Sequence, residues 1–258
     1  MEMNTPDTNT PEIRTSNRRG FLRGAAATAL GAVGGGLLLS APAQAVTPPL
    51  TFADIPTLRL LNLGGDLELG SDVKVLNYAL ALEDLEADLY VQALMRLTTG
   101  GTNALGKSIP GLDISAMQPD VAYLQQFAPI EAEHRDFLRG SLNSLVQHLA
   151  IRPFKYDFAL ETKSREETLA LVLLAETTGV MAYLGAIPYL RTQFFTTAAA
   201  AIQGTEARHT AALTIVQNEL FNGDNPKPVA PLAQDNGGRE KTMSPDEVLA
   251  MVSPFIVK

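Results

Sequence analysis

Four stretches of the chain place apolar residues at alternating steps of three and four. The first reads Leu76, Leu80, Glu83, Ala87, Tyr90, Leu94, Leu97. The second reads Leu124, Phe127, Glu131, His134, Leu138, with Leu145 further on. The third reads Leu169, Leu173, Glu176, Val180, Tyr183, Ile187, and the fourth Phe195, Ala199, Ile202, Glu206, His209, Leu213, Val216, Leu220. Such steps keep one face of an α-helix apolar, and four long helices with one apolar stripe each bury those stripes against one another as an antiparallel bundle. The spacing predicts helices from Asp72 to about Leu97, Asp120 to about Ala150, Ser164 to about Ala186, and Leu190 to about Leu220, an all-α fold.

The punctuation agrees. Val46–Ser71 holds Pro48, Pro49, Pro56 and Gly64-Gly65, and reads as an extended lead-in with one short strand. Thr98–Pro119 carries Gly100, Gly101, Gly106, Pro110 and Gly111, so a long loop is expected there. Pro129 is expected to start a new segment or kink the second helix, and Arg152-Pro153 to end it. Ser164 followed by Glu167 is a capping box for the third helix. After a tail (221–258) rich in Pro, Gly and Asn, Ser244-Pro245-Asp246-Glu247 opens a short terminal helix by the same logic.

Each stripe is interrupted near its middle by an ionisable residue. The intruders are Glu83, Glu131, His134, Glu176, Glu206 and His209. The second and fourth helices each supply Glu-x-x-His, whose i, i+3 step puts both side chains on one face. The first and third each supply a lone Glu followed seven residues later by Tyr, namely Tyr90 and Tyr183. One bundle interior therefore receives four carboxylates and two imidazoles at one level. An unpaired buried carboxylate costs several kcal/mol, at about the level where a domain loses its stability. Two divalent cations would cancel the four charges and accept both imidazoles. Glu86 competes with Glu83 for the first position, but lies off the stripe and lacks the matching Tyr. Glu133 sits between Glu131 and His134 and should point to another face. His148, about four turns beyond His134 at ~1.5 Å per residue, reads as a helix C-terminal charge or packed surface residue. Arg135, Arg139 and Arg208 read as solvated. Tyr90 and Tyr183 fit hydrogen-bond donors to the cluster, redox-active groups, or plain core packing.

Composition narrows the chemistry. There is no Cys, which excludes disulfides, thiolate metal sites, iron–sulfur clusters and an attached rubredoxin-type electron donor. A formal net charge of −8 argues against nucleic acid as a partner. With three His and no G-x-S-x-G, no hydrolase triad is in view.

The first 45 residues read as an address. Asn17-Arg18-Arg19-Gly20-Phe21-Leu22-Arg23 resembles a twin-arginine (Tat) export signal. An uncharged Ala/Gly/Leu run follows, then Ala43-Gln44-Ala45 at a cleavage position. The run is short and Gly-rich, so no permanent membrane span is expected. The expected location is the periplasm or cell envelope.

The residues from Asp72 to Leu220 resemble the ferritin-like superfamily, and within it the exported ferritin-like domains of the desiccation-related type. Leu76–Tyr90, with Glu83 and Tyr90, looks like the first-helix signature, and the order Glu-x6-Tyr then Glu-x-x-His, twice, matches the family's two-hairpin pseudo-symmetry. The resemblance implies a four-helix bundle of two antiparallel hairpins with a crossover between helices two and three. It implies two Fe or two Mn ions, with Glu83 and Glu176 as terminal carboxylates, Glu131 and Glu206 as bridges, and His134 and His209 as nitrogen ligands. Carboxylates on all four helices favour iron slightly. The expected function is redox handling of Fe²⁺ and of O₂ or H₂O₂ under oxidative or desiccation stress, as a ferroxidase or peroxide-consuming oxidoreductase. The alternatives are metal sequestration without turnover, and a structural module contacting an envelope or surface-layer partner. Extra chain around the bundle should obstruct cage assembly, giving a monomer or homodimer.

Overall fold

A computed structural model describes residues 50–55, 68–145 and 150–257. The twin-arginine segment, most of the lead-in and His148 lie outside the described residues. Among these residues run four long helices: α1 (Glu68–Leu97), α2 (Pro119–Leu145), α3 (Arg165–Ala186) and α4 (Gln193–Gln217). Two short ones follow, α5 (Ala233–Asn236) and α6 (Pro245–Val252).

The capping logic holds where it was strongest. Ser164 Oγ accepts from Glu167 N (3.2 Å) while Glu167 Oε2 accepts from Ser164 N (2.8 Å), and Ser244 with Glu247 repeats the arrangement at α6. Three boundaries differ from expectation. α1 begins at Glu68 rather than Asp72, because its first turn is anchored to the α3–α4 connection: Ser71 Oγ donates to Tyr189 O (2.5 Å). α2 starts at Pro119, where a missing N–H costs nothing, and runs through Pro129 as one helix. Gln125, whose carbonyl loses its partner to Pro129, is exposed and so meets water. The expected Thr98–Pro119 loop carries a small antiparallel hairpin, β1 (Gly101–Thr102) with β2 (Ser108–Ile109).

Interhelical contacts fix the directions. Tyr183 bonds Glu83 and Tyr90 bonds Glu176, so α3 descends as α1 ascends. His209 meets Glu131 while Glu206 meets His134, so α2 and α4 are also antiparallel. Arg165 at the start of α3 grips Asp120 at the start of α2 (2.7 and 2.8 Å). The chain must therefore return the length of the bundle between α2 and α3. It does so along α1: Ile151 N donates to Asn77 Oδ1 (2.7 Å), Phe154 N to Asp84 Oδ2 (3.3 Å), and Arg96 Nε to Lys163 O (2.7 Å). Within this strap β3 (Lys155–Tyr156) pairs antiparallel with β4 (Ile256–Val257) at the C-terminal end. Arg139 is not simply solvated, as expected from sequence: it donates to Ile151 O (3.2 Å) and approaches Asp84 (3.6 Å), tying α2 to the strap.

The strap changes α1. Between Asp72 and Leu97 only Val91 is exposed. The core divides into two apolar clusters. One holds Leu76, Leu80, Leu138, Leu142, Phe195 and Ile202, and the other Leu89, Leu97, Leu124, Leu169, Leu213 and Val216. The ionisable residues lie between them along every helix. Among the described residues Arg165–Tyr189 is long and apolar enough to cross a membrane. It is α3 with its short extension, half of it buried in the bundle around Glu176.

Asp72, fully buried, accepts from Arg191 N (2.6 Å), Thr192 N (3.0 Å) and Thr192 Oγ1 (2.5 Å), closing the end of the bundle where α4 begins. Asp72→Ala leaves those donors unmet and should lower unfolding stability by ~1–3 kcal/mol with helicity unchanged, measured by urea denaturation followed by circular dichroism.

Candidate metal centre

The six stripe residues meet at mid-bundle. Glu83 on α1, Glu131 on α2, Glu176 on α3 and Glu206 on α4 are each fully buried, and His209 on α4 is nearly so. His134 on α2 is the least enclosed, its side chain 13% exposed. Glu133 is exposed, as its offset on α2 requires.

The side chains form two overlapping groups. Glu83, Glu131, His134 and Glu206 each bring one ligand-type atom within 4.8 Å of the others, and so do Glu131, Glu176, Glu206 and His209. Glu131 and Glu206 belong to both. Each histidine turns Nδ1 inward. His134 Nδ1 lies 3.2 Å from Glu206, 3.3 Å from Glu131 and 3.5 Å from Glu83, and His209 Nδ1 lies 2.8 Å from Glu131 and 3.4 Å from Glu176. The His209 ring is stacked on Phe127 with centroids 3.9 Å apart, which fixes its plane.

The tyrosines pair crosswise. Tyr183 OH donates to Glu83 Oε1 (2.5 Å) and Tyr90 OH donates to Glu176 Oε1. Each Glu-x6-Tyr segment thus holds the other segment's carboxylate, and both phenols contact the cluster rather than merely filling core. In Glu83 the second oxygen, Oε2, is the one that faces His134, whereas in Glu176 the oxygen held by Tyr90 is also the one nearest His209.

The buried atoms left without partners are the test of what the site can hold. Glu83 Oε2, Glu176 Oε2 and both oxygens of Glu206 are buried and make no hydrogen bond of good geometry, and the same is true of His209 Nδ1. One imidazole N–H cannot serve three carboxylates at once. Buried acceptors in such numbers call for cations, and oxygen with imidazole nitrogen is a donor set that suits iron or manganese. The cluster fits metal binding.

The electrostatics of the metal-free site show the same demand. Burial pushes the Glu83 carboxyl up to about 8, with Glu206 and Glu131 adding to the rise and His134 opposing it. Burial and neighbouring carboxylates also hold Glu176 and Glu206 well above the ordinary range. Glu131 is the exception: burial would raise it, but the nearby imidazoles of His134 and His209 bring it below its usual value. Burial disfavours charge on His134, yet the closeness of Glu131, Glu206 and Glu83 overcomes it and pushes the imidazole up to about 12.

One residue set aside from sequence belongs to this neighbourhood. Glu86 does lie beside the stripe of α1, but it is only 4% exposed. Its carboxylate lies near Gly179 of α3 and Glu206, on the inner side of α1. The signal was the step itself: residue 86 stands i, i+3 from Glu83, the spacing that puts His134 beside Glu131.

Between pH 4.5 and about 8 the folded metal-free chain keeps a proton on Glu83 that the unfolded chain has released. Stability therefore falls as pH rises through that window, and above 6.5 His134 adds to the fall by holding its own proton. The melting temperature of chelated protein should decline from pH 5 to pH 8 in a calorimetric or circular-dichroism series. Glu83→Gln should flatten the decline.

A search of curated proteins finds no match to this chain. A family model described as a ferritin-like domain matches residues 71–219, from the start of α1 through the end of α4. With more than half of its length matched, and the matched part being the bundle that carries the cluster, the chain belongs to the ferritin-like domain family.

Proposed function

We propose that the six side chains hold two divalent metal ions, and that the protein is an exported dimetal-carboxylate oxidoreductase acting on Fe²⁺ and on O₂ or H₂O₂. The observation that carries this reading is the overlap of two four-residue groups through Glu131 and Glu206. Glu83 with His134 would complete one position, and Glu176 with His209 the other. A bound pair of iron or manganese ions would supply two one-electron steps, matching the two electrons that reduce H₂O₂ to water. Four carboxylates with two imidazoles suit iron or manganese, with iron slightly favoured.

The chain's own residues do the rest. Tyr183 and Tyr90 each hold one oxygen of Glu83 and Glu176, so both carboxylates are preorganised. The two apolar clusters exclude water above and below. Phe127 holds the His209 ring. With no Cys in the sequence, sustained turnover needs an external reductant. Export through the Tat route, an envelope location and a role in oxidative or desiccation stress rest on Asn17–Arg23 and on the sequence resemblance.

The burial of the cluster favours a second reading, in which iron or manganese is held in the envelope without turnover. Elemental analysis of protein exported in its native host, with a peroxide-consumption assay, separates the two. Two Fe or Mn per chain with peroxide-dependent turnover supports the oxidoreductase, the same stoichiometry without turnover supports sequestration, and zinc or no metal with an intact fold defeats both. A Glu131→Ala, Glu206→Ala double variant should lose both ions, since each group loses two of its four members.

A further inference from the structure

Glu86 is a fifth buried carboxylate at the cluster, and neither four-residue group uses it. It stands one turn after Glu83 on α1, on the side that leads toward Tyr90 and hence toward Glu176. Its Oε2 is buried without a hydrogen-bond partner. Its Oε1 lies over Gly179 of α3: a Cβ on that glycine would come within 3.2 Å of Glu86 Oε1 and 3.3 Å of Glu206 Oε2. Two carboxylates thus border the same small space, and a side chain at residue 179 would have to push both aside by a few tenths of an ångström. Glu206 turns its Oε1 to His134, so the oxygen meeting Glu86 is the one directed away from the Glu83 position.

The pseudo-symmetry sharpens the point. Glu83 and Tyr90 correspond to Glu176 and Tyr183, so residue 86 corresponds to residue 179. One half carries a carboxylate there and the other carries nothing. A buried carboxylate oxygen with no partner, as Glu86 Oε2 is, is costly.

We propose that Glu86 is a seventh metal-binding side chain, supplying an additional oxygen to the position formed by Glu131, Glu176, Glu206 and His209. The two positions are then unequal: one has three carboxylates and a histidine, the other four carboxylates and a histidine. The richer position holds its ion more tightly and better tolerates the higher charge of an oxidised ion. This inference rests on the two-ion reading above.

The test is a titration of full-length, chelator-stripped protein with Mn²⁺ by calorimetry, repeated on Glu86→Gln and Gly179→Ala. The second variant keeps the carboxylate but crowds it. Wild type should take up two ions in steps of different affinity. Both variants should still take up two, with the tighter step weakened by at least about 10-fold and the other within about twofold. The visible absorption of the Co²⁺-loaded protein should change for one ion of the pair. Glu86→Gln should gain less in melting temperature on Mn²⁺ loading than wild type does, whereas a purely packing role leaves that gain unchanged. Unchanged binding steps and Co²⁺ spectrum in both variants would overturn the role of Glu86 while leaving the two-ion reading standing. Uptake of fewer than two ions by wild type would overturn both.

Discussion

Five carboxyl groups and two imidazoles are packed between two apolar layers, and water reaches only the edge of one imidazole. That arrangement governs the rest. Each side chain comes from the middle of a long helix, and the helices can close on one another only if the charges between them are balanced. In the metal-free chain the balance is partial. Protons stay on Glu83, Glu176 and Glu206 beyond their usual range, while the histidines shield Glu131. Cations would answer the same need without those protons, so on the proposed reading metal binding, proton release and bundle stability are linked by one electrostatic requirement.

The crosswise Tyr–Glu bonds convert this local requirement into architecture. Because Tyr90 reaches Glu176 and Tyr183 reaches Glu83, α1 and α3 are locked in antiparallel register at two points, one on each side of the centre. Antiparallel α1 and α3 force a crossover that spans the bundle, and the crossover becomes the strap along α1. The C-terminal residues complete the enclosure. β4 pairs with β3 in the strap, and Met243 packs so closely on α3 that a Cβ on Gly185 would fall 1.8 Å from its carbonyl oxygen.

The fold and most of the cluster were legible because they obey one period. Each stripe needed a single buried face, and the polar interruptions at Glu83, Glu131, His134, Glu176, Glu206 and His209 stood out against it. Ser164 and Ser244 announced their helices through local hydrogen bonds that a short stretch of sequence contains in full. What escaped depends on partners distant in the chain. Glu86 is buried because its i, i+3 step from Glu83 carries it toward Gly179 of α3, and Arg139 leaves the solvent for Ile151 and Asp84 because the returning connection runs along α1. The extra turn at Glu68–Ser71 depends on Tyr189, more than a hundred residues later. A stripe shows which face of a helix must be inside, but not whether the opposite face will be covered as well.

The partial exposure of His134 gives the cluster a front and a back. On the α1–α3 side the carboxylates are clamped by phenols and roofed by the strap. On the α2–α4 side stand the imidazoles, one of them touching solvent. On that side solvent therefore meets the cluster at His134 alone of its two histidines, while the opposite side is closed by Tyr90, Tyr183 and the helices behind them.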